Sequence, residues 1–397
     1  MDVTISKFSL LLLLLLLFSC ENSKTIQQMG GEFTLTGEIT ELKTKQVVLT
    51  YLKYNELIND TIAVINGEFR TKGIISNPVE VYLRGNIKKR GTSDPNYFSF
   101  FLEPKIIKIS LIEDKFKEAK VTGSITQNEY EKLKLVIDPL NNEIKTINKE
   151  AKELRSKLKK NKDNSLINGQ MEKLSQKFTN NINQKKAIHL KFIKNHPNSY
   201  LSAYLLNFYS SRIPIKEINK YYLNLSSIIR NSSYAKRVKN KIKIVENSKI
   251  GKQSPFFKTY DIEGNEFSLE MYKGKYIVLD FWADWCAPCI EKLPELKKLF
   301  QKYNLKGLEI VGFSLDKDVE SWKKAVNKNK IYAWKHIYVG RQNIKGDSIF
   351  KSFNVNRIPA LILINKKGII EGRFLGADNS SEHGFIDLEK KLDKIFR

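Results

Sequence analysis

Asp280-Phe281-Trp282-Ala283-Asp284-Trp285-Cys286-Ala287-Pro288-Cys289 is the stretch on which the reading of this 397-residue chain turns. It follows directly from Tyr276–Trp282, an apolar strand, and leads into Glu291–Tyr303, where apolar residues recur with helical period. Two cysteines three positions apart therefore stand where a strand gives way to a helix. Working outward, Leu308–Leu315 reads as a second strand and Val319–Val326 as a second helix. Trp334–Val339, Ala360–Ile364 and Ile369–Phe374 complete a sheet, and Phe385–Phe396 closes with a helix. The connection Asn365–Gly368 is too short for anything but an antiparallel pair, so the sheet is expected to be mixed, with helices on its faces.

The quoted segment resembles the active site of thioredoxin, and residues 251–397 resemble its membrane-tethered TlpA/ResA relatives, which are thiol-disulfide oxidoreductases. Asn356-Arg357-Ile358-Pro359 falls just before Ala360–Ile364, where that family carries a cis-proline. Pro294 matches the proline that kinks the active-site helix. Ser314-Leu315-Asp316-Lys317-Asp318 and Glu320-Ser321-Trp322 are similar to the TlpA-type branch. The resemblance implies an α/β thioredoxin-like domain whose redox-active disulfide joins Cys286 and Cys289. Cys286, preceding the first helical turn, lies near unpaired N–H groups and the positive end of the helix dipole, and both favour thiolate. The thiolate attacks a disulfide sulfur, and Cys289, one turn further in, resolves the mixed disulfide. Asp280 stands where the family has a buried carboxylate. Burial would raise its pKa and suit it to move the proton of Cys289, whereas at a strand end facing solvent it would do neither. Trp285, Ile358 and Pro359 are the expected substrate-contacting residues, although Trp282 and Trp285 also read as packing around the site. One position departs from the family. Many relatives carry Glu three residues after the second cysteine, where this chain has Lys292 and places Glu291 one position earlier. A cation there favours thiolate, so the family's pKa behaviour is not carried over.

A Cys-x-x-Cys pair can also be half a zinc site. This chain has no second pair and its four histidines are scattered, so no metal and no cofactor is expected. A peroxidase of the peroxiredoxin class would need Thr three residues before the reactive cysteine, and Ala283 stands there.

Upstream the pattern changes twice. Residues 125–250 read as helical, because Ile137, Leu140, Ile144, Ile147, Ala151, Leu154 and Leu158 share one helical stripe. Asp138-Pro139 offers an N-cap with proline in the first turn. Ile167, Met171, Leu174, Phe178 and Ile182 resume the stripe, so two antiparallel helices with a shared core are expected. Residues 31–124 read as an N-terminal antiparallel β sandwich, with Asn66-Gly67 as a hairpin turn between Ile62–Ile65 and Phe69. Asp60-Thr61, Asn66-Gly67-Glu68-Phe69, Leu102-Glu103-Pro104 and Val121-Thr122-Gly123-Ser124 resemble the β domain of uncertain role found in lipoproteins that end in a thioredoxin fold.

The start of the chain bears on compartment. The apolar run Phe8–Phe18 is too short to span a bilayer but fits a signal-peptide core, and Leu17-Phe18-Ser19-Cys20 resembles a lipobox. The expectation is a lipoprotein signal peptide over 1–19, lipidation of Cys20 and a tether over 20–30. The protein then sits in the cell envelope, outside the cytoplasm and on the periplasmic side, held to the membrane by acyl chains. The formal net charge is +25, and residues 125–250 hold most of the excess, 26 basic against 10 acidic side chains. Without an aromatic–basic recognition motif this reads as a solvated lysine-rich surface rather than a nucleic-acid site. The expected partners are protein thiols and disulfides of the envelope and a membrane electron donor. The non-enzymatic alternative is an envelope binding lipoprotein with an auxiliary redox site.

Overall fold

A computed structural model describes residues 31–397 apart from 42, 54–55, 88–90, 161–164, 341–348 and 376–383. The expected signal peptide and tether, with Cys20, lie outside the described residues. The described chain divides into two compact units, one of residues 31–212 with 220–237 and one of 213–219 with 238–397.

In the first unit, β1 (Gly31–Thr40), β4 (Glu68–Ile75), β7 (Ile106–Ile112) and β8 (Lys120–Thr122) form one sheet in the order β4-β1-β7-β8. The other sheet takes β2 (Gln46–Lys53), β3 (Glu56–Ala63), β5 (Val79–Arg84) and β6 (Tyr97–Leu102) in the order β3-β2-β5-β6. Pairing is antiparallel except between β1 and β7, which run parallel. Alternate residues of each strand point inward, so Phe33 and Leu35 of β1 meet Val47 and Leu49 of β2 and Val81 and Leu83 of β5 in one core.

The Asn66-Gly67 turn forms, but not the hairpin read from the sequence. Asn66 and Gly67 both take positive φ, 51° and 84°, and Ile65 and Glu68 exchange two backbone hydrogen bonds of 2.9 Å. Past that bridge the arms part, β3 joining β2 in one sheet and β4 joining β1 in the other. Turn chemistry fixes a reversal of direction; it does not choose the partner of each arm. Here Ile62 and Phe69 both bury into the sandwich core, which holds the arms to opposite sheets.

The helices of this unit begin with α1 (Ile125–Lys160), followed by α2 (Ser165–Asn195) and α3 (Tyr200–Tyr209). Two further helices, α4 (Ile215–Asn224) and α5 (Ser233–Asn247), each contribute residues to both units. Helix α1 starts thirteen residues before the Asp138-Pro139 pair that the sequence marks as its N-terminus. The start is fixed by Glu103 at the end of β6. This buried carboxylate accepts from the Thr126 N–H at 2.7 Å, the Thr126 hydroxyl at 2.8 Å and the Ser124 hydroxyl at 3.3 Å. Pro139 is then interior to the helix. Its missing N–H would have served the carbonyl of Leu135, and both residues are exposed, so water can take the donor's place. Ile147, Ala151 and Leu174 form the shared core of α1 and α2, with Leu154 and Met171 against it. Phe178 and Ile182, expected on that stripe, are instead about two-fifths exposed, at 37% and 41%. Between them Asn181 is buried and donates to Glu143 at 2.7 Å, so a polar pair takes the inward position there.

In the second unit β11 (Tyr276–Trp282) is the centre of a five-stranded sheet of order β13-β12-β11-β14-β15. Its other strands are β12 (Leu308–Ser314), β13 (Lys335–Tyr338), β14 (Ala360–Ile364) and β15 (Ile370–Leu375), and a small hairpin of β9 (Thr259–Tyr260) and β10 (Glu266–Phe267) precedes it. The pairs β11–β12 and β12–β13 are parallel; β11–β14 and β14–β15 are antiparallel. The turn from β14 to β15 is closed by Asn365, whose side chain accepts from the Lys367 and Ile369 N–H groups, with Gly368 at φ 77°. The main helices are α6 (Ala287–Tyr303), α7 (Val319–Lys328) and α8 (Phe385–Ile395). Strand β11 is buried from Ile277 to Trp282, as a strand covered on both faces must be, and Asp280 is the one ionisable residue of that buried stretch. The mixed sheet, the helical middle and the N-terminal β region are the architecture expected from the sequence.

Candidate active site

Strand β11 ends at Trp282 and α6 begins at Ala287, with Cys286 as its N-cap. The turn is tight. The Cys286 N–H donates to the Ala283 carbonyl at 3.1 Å, and the Cys286 carbonyl accepts from Cys289 at 2.8 Å and Ile290 at 3.1 Å. Cys286 and Cys289 are joined by a disulfide, with Cα atoms 5.2 Å apart. The Cys289 N–H, bonded to the Cys286 carbonyl, also lies 3.3 Å from Cys286 Sγ. Pro288 lies in the first turn, where no N–H is missed, and Pro294 lies inside the helix. Both cysteines are nearly buried, Cys286 at 6% and Cys289 at 4% exposure, while Trp285 beside them is 55% exposed.

Behind the disulfide lies a small cavity of about 20 Å³, room for roughly one water. Asp280, Cys289, Lys292, Leu293, Pro359 and Phe385 are among its walls. Cys289 faces it and Cys286 does not, which distinguishes the two sulfurs. Burial pushes the Asp280 carboxyl up from its ordinary value to about 7. Lys292, whose side chain is 20% exposed, pairs with Glu295 at 3.3 Å and lies 5.7 Å from the Phe385 ring centroid. The position at which the chain departs from the family it resembles therefore puts a cation on the cavity wall, with Asp280 and Cys289. The Ile358-Pro359 peptide is cis, both residues are half-buried, and Pro359 brings the loop before β14 onto the same cavity.

Register extends the site sideways. Asp280 pairs with Leu361 on one flank and Gly312 on the other, and Gly312 pairs with His336. These four residues form a row across the sheet with their side-chain positions on one face. Gly312 is required there. A Cβ on it would stand 2.7 Å from His336 Nδ1 and 3.1 Å from Trp282 Nε1. Both of those nitrogens, and Trp334 Nε1, are buried without a hydrogen-bond partner. His336 Nε2 donates to the Ile331 carbonyl at 2.7 Å, which leaves Nδ1 the acceptor, and burial holds the ring's pKa down near 4. Sequence reasoning did not find this polar row. A strand glycine opposite an expected carboxylate was the only available signal. Among the described residues, no three His, Cys, Asp or Glu side chains gather into a group able to hold a metal ion.

A dithiol pair that can open and close at a helix N-terminus, backed by a buried carboxyl that titrates near neutrality, is built for two-electron exchange between thiols and disulfides. Comparison with known proteins agrees. The Thioredoxin-like family matches residues 274–370, and a family described as Domain of unknown function (DUF4369) matches residues 33–130. "Thiol-disulfide oxidoreductase ResA" of Bacillus thuringiensis (strain Al Hakam) is 33% identical over 150 residues, 38% of this chain and 80% of the relative. "Thioredoxin-like protein YneN" of Bacillus subtilis (strain 168) is 30% identical over 144 residues, 36% of this chain and 78% of that protein. Among solved structures, the thioredoxin domain of a thiol-disulfide oxidoreductase from Bacteroides vulgatus is 30% identical and covers 38% of this chain and 99% of its own, with a TM-score of 0.33. The chain belongs to the ResA-like family of thioredoxin-fold thiol-disulfide oxidoreductases.

Proposed function

We propose that this oxidoreductase is an exported, lipid-anchored enzyme that reduces or isomerises disulfides of envelope proteins through its Cys-Ala-Pro-Cys segment. The reduced Cys286, capping α6 under the Cys289 N–H, is held as thiolate by the helix terminus. It attacks one sulfur of a client disulfide, and the other client sulfur leaves as thiolate. Asp280 then takes the proton of Cys289. The Cys289 thiolate attacks Cys286 Sγ, closes the intramolecular disulfide and releases the client's second thiolate. The client has gained two electrons and the enzyme has lost two, which an envelope electron donor restores. The observation that carries this division of labour is the cavity, which contains Cys289 and Asp280 but not Cys286. The client's contact surface in this reading is the exposed Trp285, next to Cys286 in sequence, with Ile358 and Pro359 of the cis-proline loop. The reduction potential of the pair is the test: a value near about −270 mV supports a reductase, and one near about −120 mV would make the enzyme an oxidant and overturn this direction.

The anchor rests on Cys20, placed directly after an apolar run too short to cross a bilayer. Cys20→Ala is expected to leave unprocessed precursor or to release the protein from membranes. Unchanged membrane retention, with a mature mass lacking acyl groups, would remove the lipid anchor from the proposal.

A further inference from the structure

Strand β12 ends at Ser314, and Ser314 with the following Leu315 and Asp316 holds the turn that carries the redox pair. The Leu315 N–H donates to the Trp282 carbonyl at 3.0 Å, and the Trp285 indole N–H reaches the Leu315 carbonyl at 3.4 Å. Between these two ties, the Asp284 N–H donates to Asp316 Oδ1 at 2.9 Å. The other carboxylate oxygen, Oδ2, accepts from the Ser314 hydroxyl at 2.7 Å, and Ser314 Oγ accepts in turn from the Asp316 N–H at 3.0 Å. Ser314 is fully buried and Asp316 is 1% exposed. A carboxylate is costly in such a place unless its oxygens are occupied. An apolar residue there would pack at less cost, but it could not receive the Asp284 N–H, two residues before Cys286.

We propose that Asp316 is a positioning residue of the redox pair: by holding the Asp284 N–H it keeps Cys286 Sγ over the Cys289 N–H and favours the disulfide over the dithiol. The inference rests on the reading of Cys286 and Cys289 as a redox pair. Its physical basis is entropic. With the disulfide closed, the turn is already cross-linked and the clamp adds little restraint. With the disulfide open, the clamp is what keeps the two thiols within reach, so removing it widens the reduced ensemble and makes ring closure less favourable.

The test is equilibration of the full chain with glutathione buffers, scored by trapping the free thiols. Wild type comes first, because a pair that does not exchange at all would defeat the redox reading itself rather than the role of Asp316. Asp316→Ala is expected to lower the equilibrium constant for disulfide formation about tenfold, a potential about 30 mV less negative. Asp316→Asn keeps an oxygen facing the Asp284 N–H and is expected to stay within about twofold of wild type. An unchanged potential in Asp316→Ala beside a lowered melting temperature would make the residue merely structural. An equal shift in Asp316→Asn would assign the effect to charge rather than to the held N–H. Either result overturns the proposal. Should Asp316→Ala not fold, Ser314→Ala, which frees one carboxylate oxygen, is expected to move the constant about threefold in the same direction. No movement there would also overturn it.

Discussion

Cys289→Ser is expected to turn a turnover catalyst into a covalent trap. The variant keeps Cys286 at the helix terminus, so attack on a client disulfide proceeds. It lacks the only sulfur placed to break the bond that forms. Client proteins should accumulate as mixed disulfides on Cys286, visible in acid-quenched envelopes run without reductant, and steady turnover should fall at least about a thousandfold. Cys286→Ser should lose turnover to a similar degree for the opposite reason, leaving few adducts. Exposure does not separate the two sulfurs, 6% for Cys286 and 4% for Cys289, but Cys289 lines a cavity with room for roughly one water, which a client cannot enter. Abundant adducts from Cys286→Ser and none from Cys289→Ser would reverse the two roles. Adducts from neither variant, with the protein folded and exported, would favour a binding lipoprotein whose redox site is incidental.

Asp280→Asn is expected to make the protein more stable and the enzyme slower. The folded-state carboxyl titrates near about 7 rather than at its ordinary 3.8 because burial penalises its charge. The native protein therefore binds a proton that the unfolded chain has already released between those two values. By linkage, stability falls as pH rises from about 4 to about 7, and the full penalty persists above that window. A shift of about three units corresponds to up to about 4 kcal/mol. The asparagine variant carries no such penalty, so its advantage should be absent below pH 4, grow through the window and level off above it, as denaturant titrations across pH would show. The kinetic effect runs the other way. Resolution by Cys289 should slow at neutral pH, while first attack by Cys286 changes much less. Equal slowing of both steps, or of neither, would reduce Asp280 to a structural residue.

What could be read in the chain beforehand was whatever neighbouring residues decide together. The order of strands and helices after residue 256 follows from local periodicity, and the short Asn365–Gly368 turn dictates its antiparallel pair. The two cysteines declare themselves by spacing and context. The rest depends on register or distance. Glu103 fixes the start of α1 from 23 residues away in sequence, and so a proline pair inside the helix looked like its beginning. The row Leu361, Asp280, Gly312 and His336 exists only after four strands have aligned, and nothing local to His336 announces it. Asp316 stood in a motif quoted for likeness alone; its hydrogen bond to the Asp284 backbone gives that motif a physical use.

The narrowness of the cavity behind Cys289 has a kinetic consequence. It passes a proton, carried on a water, and excludes any molecule that could bring or take electrons. In the proposed mechanism the disulfide is opened and closed by partners through Cys286 alone, the sulfur that does not line this cavity. The client to be reduced and the donor that recharges the enzyme must dock at the same place, one after the other. Such an enzyme obeys ping-pong kinetics, with parallel double-reciprocal plots, and each of its two partners inhibits competitively against the other at high concentration.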